Sequence, residues 1–175
     1  MKTNFIKLEE KADHKQLKEY INEFKKMELS VRKLEKKVNI GIFEFQLDLL
    51  LDQVLPSPQY LLSKIYVTIP KILIKRINTL AEKTDKYNEL LDINVAKGDV
   101  EAFIKLKKVV EDCSNKRQEV ENEMEEINEL NLIVNNHFKE MKLEDFERRR
   151  FDHLLNSRNN FERKLDSMIY FIDKI

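Results

Sequence analysis

Asp99 to Phe138 reads DVEAFIKLKKVVEDCSNKRQEVENEMEEINELNLIVNNHF. Within it Phe103, Leu106, Val110, Cys113, Arg117, Val120, Met124, Ile127, Asn131, Val134 and Phe138 follow one another at steps of three or four. That spacing keeps all of them on one stripe of an α-helix, and it lasts for five heptads. The stretch predicts a helix over 99–138. At about 1.5 Å per residue it would span about 60 Å, longer than an ordinary globular helix. Asp99 supplies an N-cap oxygen after the turn Ala96-Lys97-Gly98. Arg117 and Asn131 interrupt the stripe, which leaves two readings open. Polar seam residues can fix register or helix orientation at some cost in stability, or the seam can rotate locally and turn them to solvent.

The same periodicity extends outward from this segment. Leu17, Tyr20, Phe24, Met27, Val31, Leu34 and Val38 predict a helix over 14–38, with Asp13 as its N-cap. Phe151, Leu154, Arg158, Phe161, Leu165, Met168, Ile172 and Ile175 predict a last helix from about Leu143. Its apolar face is still open at the final residue, as expected of a piece of a longer chain. Between these rods, residues 39–47 change character: Ile40, Ile42, Phe43, Phe45 and Leu47 surround Gly41. This predicts one short extended crossing. A lone strand leaves its backbone groups unpaired, and no second strand is legible, so the crossing is expected to pack irregularly or to pair outside this chain. Leu47–Val54 reads as a short helix ended by Leu55-Pro56-Ser57-Pro58, and Pro58 opens a helix over about 59–92. Pro70 should kink or split that helix. Beyond it the seam is Leu73, Ile77, Leu80, Thr84, Tyr87 and Leu91. The expected fold is all-α: an elongated bundle of long antiparallel, coiled-coil-like helices with one extended segment near 40–47. It divides into 1–55 and 56–175 within one continuous unit.

Composition narrows the function classes. Of 175 residues two are Gly, three are Pro and none is Trp. Sheet-rich folds need turn residues far more often, and Gly41 and Gly98, 57 positions apart, cannot share a phosphate-cradling loop. Cys113 alone builds no disulfide and suits a reducing, cytoplasmic setting. Charged residues make up 37% of the chain, 32 of each sign, beside 42% hydrophobic residues. That balance is the profile of long amphipathic helices rather than of disorder. Zero net charge argues against a nucleic-acid partner. The N-terminus, MKTNFIKLEEKAD, lacks the apolar core of a signal peptide. Lys64, Pro70 and Lys71 break the most apolar region, so membrane insertion is not expected. That region holds no acidic residue between Asp52 and Glu82, but does hold Lys64, Lys71, Lys75 and Arg76. It fits a helix buried in a bundle, or a partner-facing apolar surface with a basic rim.

No chemistry-bearing constellation stands out. His14, His137 and His153 are far from one another and from Cys113, so zinc-ligand spacing is missing. Cys113 lies on an apolar seam and reads as a small buried hydrophobe. Glu119 to Glu129 holds six Glu and no basic residue, which fits a solvated face better than a docking patch or divalent-ion site. Arg148-Arg149-Arg150 fan out around a helix and fit salt bridges across a bundle better than an anion site. No catalytic, cofactor-binding or metal-binding residue is assigned, and no enzymatic activity is expected.

Three features together carry a family resemblance. They are Gly41-Ile-Phe-Glu-Phe45 between a long helix and a run of helices, the helix residues Leu80, Tyr87, Leu90 and Leu91, and the stretch Gly98-Asp-Val-Glu-Ala-Phe-Ile-Lys-Leu-Lys-Lys-Val-Val110. The last continues through Ile127, Leu130 and Phe138 to Leu143-Glu-Asp-Phe146. Over about residues 35–165 this order resembles the tail of axonemal dynein heavy chains, where helical bundles approach the linker. The resemblance implies an architectural, force-transmitting segment of a microtubule motor. Its partners would be other helices of the same heavy chain or accessory dynein chains, and it would contact the microtubule only indirectly. It implies a place in the cytoskeleton, in a cilium or flagellum axoneme. The glycine-rich nucleotide-binding loop of such a motor has no counterpart in these residues, so the ATPase would lie in other regions of the parent chain. The alternative is an independent coiled-coil or spectrin-like scaffold or adaptor.

Overall fold

The computed structural model describes residues 13–96, 99–137, 139, 141 and 144–174. Among them the chain is all-α apart from one small hairpin. In order the elements are α1 (His14–Arg32), β1 (Lys37–Ile40), β2 (Phe43–Gln46), α2 (Asp48–Val54), α3 (Pro56–Leu90), α4 (Val100–Asn136) and α5 (Asp145–Asp173). Gly98, Phe138, Leu143 and Ile175, which figured in the predicted turn, seams and last helix, lie outside the described residues.

The caps explain where several helices begin. The Asp13 carboxylate accepts from the Lys15 N–H at 3.1 Å, and Asp99 accepts from the Ala102 N–H at 2.9 Å. Glu144 and Glu147 form a reciprocal capping box at the start of α5. Pro56 occupies the first position of α3, where its missing N–H costs nothing. The helix therefore starts about three residues earlier than expected, with Pro58 buried in its first turn.

The predicted helix over 14–38 is too long by six residues. α1 ends at Arg32, and Val38 belongs to β1. The apolar stripe of α1 is also rotated from the predicted one. Leu17, Ile21 and Phe24 are its buried residues, while Met27 and Leu34 are exposed and Tyr20 stacks on Phe24. The expectation of an unpaired extended segment is corrected as well. The partner strand was hidden in the last residues of that overlong helix. β1 and β2 pair antiparallel, with Lys37 opposite Gln46, Val38 opposite Phe45, Asn39 opposite Glu44 and Ile40 opposite Phe43. Two residues, Gly41 and Ile42, join them. Gly41 has φ +64°, and no other described residue has a positive φ. Glycine in the first central position and an ordinary residue in the second match a type II′ turn, whose twist suits a hairpin.

Two compact units divide the chain. The first holds the described residues of 13–72 and 133–141. Its buried side chains are Leu17, Ile21 and Phe24 from α1, Leu62, Ile65, Ile69 and Ile72 from α3, and Ile133, Val134 and Met141. Gln59 donates to Glu28 at 3.1 Å. Lys25 and Tyr66 both meet His137, at 3.3 Å and at a ring-centroid separation of 5.7 Å. These pairings make α1 antiparallel to the first half of α3. The second unit holds the described residues of 73–132 and 144–174. Its core takes Leu73, Ile77 and Leu80 from α3, Leu106, Val110, Cys113, Val120, Met124, Ile127 and Leu130 from α4, and Leu154, Phe161 and Leu165 from α5. Cross-helix pairs give its directions. Arg76 meets Glu126 and Lys83 meets Glu123, so α3 and α4 are antiparallel. Asn78 meets Arg150 and Asp92 meets Lys164, so α3 and α5 are parallel. The unit is an up-down-up three-helix bundle.

Helix α3 is assigned continuously through Pro70 rather than split by it. The ring still removes the N–H that would bond the Tyr66 carbonyl. Pro70→Ala is therefore expected to keep or raise helicity and to add on the order of 1–3 kcal/mol of stability. Urea denaturation followed by circular dichroism measures this, and a large loss would show that packing requires the proline.

Candidate functional site

Two features of the second unit involve more than apolar packing. The first is a groove of about 430 Å³ between α3 and α5. Asp85, Asn88, Glu89 and Asp92 line one wall, and His153, Asn156, Ser157 and Asn160 line the other. Both sets step by three, four and seven from their first member, which is one face of a helical turn pattern. Two parallel helices thus turn polar stripes toward each other beside their apolar ones.

The floor of the groove is a tight network. Thr84, Asn88 and Ser157 are buried. The Ser157 hydroxyl donates to Asp85 Oδ1 at 2.5 Å. Its oxygen lies 2.9 Å from Thr84 Oγ1 and accepts from Asn88 Nδ2 at 3.3 Å. The Thr84 hydroxyl also reaches back along its own helix, to the Leu80 and Ala81 carbonyls at 3.1 and 3.0 Å. Asn88 Nδ2 also donates to the Ser157 carbonyl at 2.9 Å, and Lys164 donates to Asp92 at 2.5 Å and to the Asn88 carbonyl at 3.2 Å. Asn88 Oδ1 is buried without a partner. His153 Nε2 stands 3.9 Å from the other Asp85 oxygen, with both side chains largely in water. A nucleophilic relay needs the imidazole against the hydroxyl. Here the carboxylate sits between them, and the serine is spent as a cross-link between helices.

The second feature is a set of ion pairs across the bundle. Arg117 of α4 pairs with Glu162 and, at 3.0 Å, with Asp166 of α5. Arg158 of α5 pairs back to Glu121 of α4. These two arginines are the basic interruptions of the two predicted seams. The structure places them on the α4–α5 boundary, which favours the register reading for Arg117 over the solvent one. The acidic run Glu119–Glu129 is largely absorbed in the same way. Glu119 meets Lys83 and Lys116, Glu123 meets Lys83 at 2.6 Å, and Glu126 meets Arg76 at 2.7 Å. Of the arginine triplet, Arg150 donates to Asn78 at 2.6 Å and lies over the Phe146 ring. Cys113 is buried on the seam, where burial and then Asp112 push its thiol pKa up. In the first unit His14 sits beside Asp13, and His137 contacts Lys25 and Tyr66.

Among the described residues no group of three or more His, Cys, Asp or Glu side chains could hold a metal ion. No described helix is long and apolar enough to cross a membrane. No family model, curated protein or solved structure matches this chain. Fold and groove define its class: a charge-laced helical bundle with a polar cross-link set into its core. The polar stripes were missed in the sequence because each is ordinary alone. Their shared spacing, 85-88-89-92 and 153-156-157-160, was the available signal.

Ser157→Ala removes the central oxygen of the network. It is expected to cost about 1–3 kcal/mol, read as a lower denaturation midpoint in urea, and a neutral result would show that the network contributes nothing. The charge pairs set a pH window. Hydrogen bonds from Lys116 and then Lys83 hold Glu119 below its ordinary 4.5, and Arg32 and then Gln59 do so for Glu28. The Glu123 hydrogen bond raises Lys83, and the Glu119 hydrogen bond raises Lys116, above 10.5. The acidic groups contribute stability above 4.5 that is lost as pH falls through their lower folded values. The lysines contribute stability below 10.5 that is lost as pH rises through their higher ones. A melting temperature that is flat in between and declines modestly on both sides is expected from a pH series. A steady slope across neutral pH would contradict it.

Proposed function

We propose that the chain is an architectural helical module with no catalysis of its own. It transmits force between its attachment points. The observation that carries this reading is the reciprocal pairing of Arg117 with Glu162 and Arg158 with Glu121. Charges that could face a ligand are spent in tying antiparallel helices into one register. The serine, asparagine and threonine of the groove serve the same end between parallel helices. In general form this is a spectrin-like scaffold. In the narrower form implied by the resemblance, it is a segment of an axonemal dynein heavy-chain tail that contacts tail helices or accessory chains.

Single-molecule pulling through residues 13 and 174 tests the general form. A cooperative unfolding step is expected, weakened by Arg117→Glu with Arg158→Glu and recovered when Glu162→Arg and Glu121→Arg are added. Extension at low force with no such step would remove the reading. Cross-linking mass spectrometry in ciliated cells tests the narrower form. Links to dynein heavy or accessory chains support it, and their absence sinks it while leaving the scaffold standing.

A further inference from the structure

The hairpin is amphipathic. Residues directly opposite in an antiparallel pair share a face. The register therefore puts Val38, Ile40, Phe43 and Phe45 on one side and Lys37, Asn39, Glu44 and Gln46 on the other. Two contacts agree with this: the Phe43 and Phe45 rings lie 6.5 Å apart, and Lys37 pairs with Glu44 at 2.7 Å. The polar face is thus internally neutralised. Val38 is half-buried, but the rest of the apolar face is bare: Ile40 is 63% exposed, Phe43 65%, Phe45 49%, and Ile42 at the turn 94%. Leu49 and Leu50, in the helix that follows β2 almost at once, are 79% and 55% exposed.

We propose that two copies of this chain associate by stacking the apolar faces of their hairpins. The area fits. Ile40, Ile42, Phe43 and Phe45 present about 500–600 Å², and Leu49 and Leu50 raise this to about 750–850 Å², near the ~800 Å² per partner of a stable interface and above the ~300–600 Å² patch of a typical monomer. The chemistry fits as well. The face carries no charge to be left unpaired, so an identical face is its complement, as a twofold contact requires. A two-stranded hairpin is marginal by itself, and stacking two of them closes a four-stranded sandwich with a core of its own. The proposal does not depend on the architectural reading, which rests on the other unit.

The backbone distinguishes face stacking from edge pairing. Across a two-residue turn, Ile40 and Phe43 exchange hydrogen bonds, as do Val38 and Phe45, and the Leu47 N–H bonds the Lys36 carbonyl at 2.7 Å in the same phase. Asn39, Glu44 and Gln46 therefore turn their N–H groups outward. Sedimentation equilibrium of the full chain over a concentration series is expected to show a monomer–dimer equilibrium. Phe43→Lys with Phe45→Lys should weaken it by about 100-fold or more, as should Ile42→Asp alone. Both variants are judged only with the helical melting transition intact. Hydrogen exchange in the dimer should leave the Asn39 and Glu44 amides fast. A strict monomer, a dimer indifferent to these substitutions, or slowed Asn39 or Glu44 amides would each overturn the proposal.

Discussion

A 37-residue helix with one apolar stripe has to bury that stripe or not form, and α4 is such a helix. At about 1.5 Å per residue it runs about 55 Å. Leu106, Val110, Cys113, Val120, Met124, Ile127, Leu130, Ile133 and Val134 along it are all buried. At roughly 1.5–3 kcal/mol for each large side chain removed from water, this stripe and that of α3 are the two largest apolar contributions among the described elements. Helices α3 and α5 are placed where they are because they cover it. The faces of Ile77 and Leu80 and of Leu154, Phe161 and Leu165 exist for that purpose. The stripe passes from the second unit into the first at Ile133, so both units draw part of their core from one helix.

Burial alone does not choose a register, since an apolar stripe slides against another at little cost. The polar groups supply the choice. Each exposed ion pair contributes only about 0.2–1 kcal/mol. Sliding α5 by one turn against α4, however, would break Arg117–Glu162, Arg117–Asp166 and Arg158–Glu121 together. The Ser157 network does the same for α3 against α5, and with a larger penalty, because Asn88 and Ser157 are buried and would lose each other and Asp85. Even the native register leaves three buried polar atoms among the described residues without a partner: Asn88 Oδ1, Arg158 Nε and Glu162 Oε1. The balanced composition follows from this division of labour: apolar residues fix which faces meet, and charges of both signs fix where.

What was legible in the sequence was whatever depends on one helix at a time. The α4 stripe, the Asp13 and Asp99 caps and the break near Pro56 are local properties of the chain. The hairpin was only half legible, since Leu34 and Val38 continue the three-four step of α1 and imitate two more turns of helix. Nothing in the spacing reveals that Val38 leaves the helix. The β-branched pair Val38 and Ile40 ahead of Gly41 was the weaker signal, and it was the right one. The groove left only its repeated polar spacing in the sequence, for a different reason. Asp85 and Ser157 are 72 residues apart, and only the parallel course of α3 and α5 brings them together. A reading helix by helix assigns each polar stripe to water. The Arg117 question was open on the same ground, because its answer lies on α5.

The contrast between hairpin and bundle bears on where this chain can be approached. In the bundle nearly every large apolar side chain of the seams is covered, and the charges around them are paired with one another. In the hairpin Ile40, Ile42, Phe43 and Phe45 are outside, and the Lys37–Glu44 ion pair lies on the opposite face. Selection for solubility alone would replace Ile42, which touches little and is almost fully exposed, and would put a charge at Phe43. In the dimer proposed above, both residues and the bare leucines of the neighbouring helix would meet a second copy rather than water. The hairpin is turned by the positive φ of Gly41 and held by its own ladder and the Lys37–Glu44 pair. A short element that specifies its own geometry and leaves its apolar face outward is suited to contact, whereas the long helices are suited to carry that contact elsewhere.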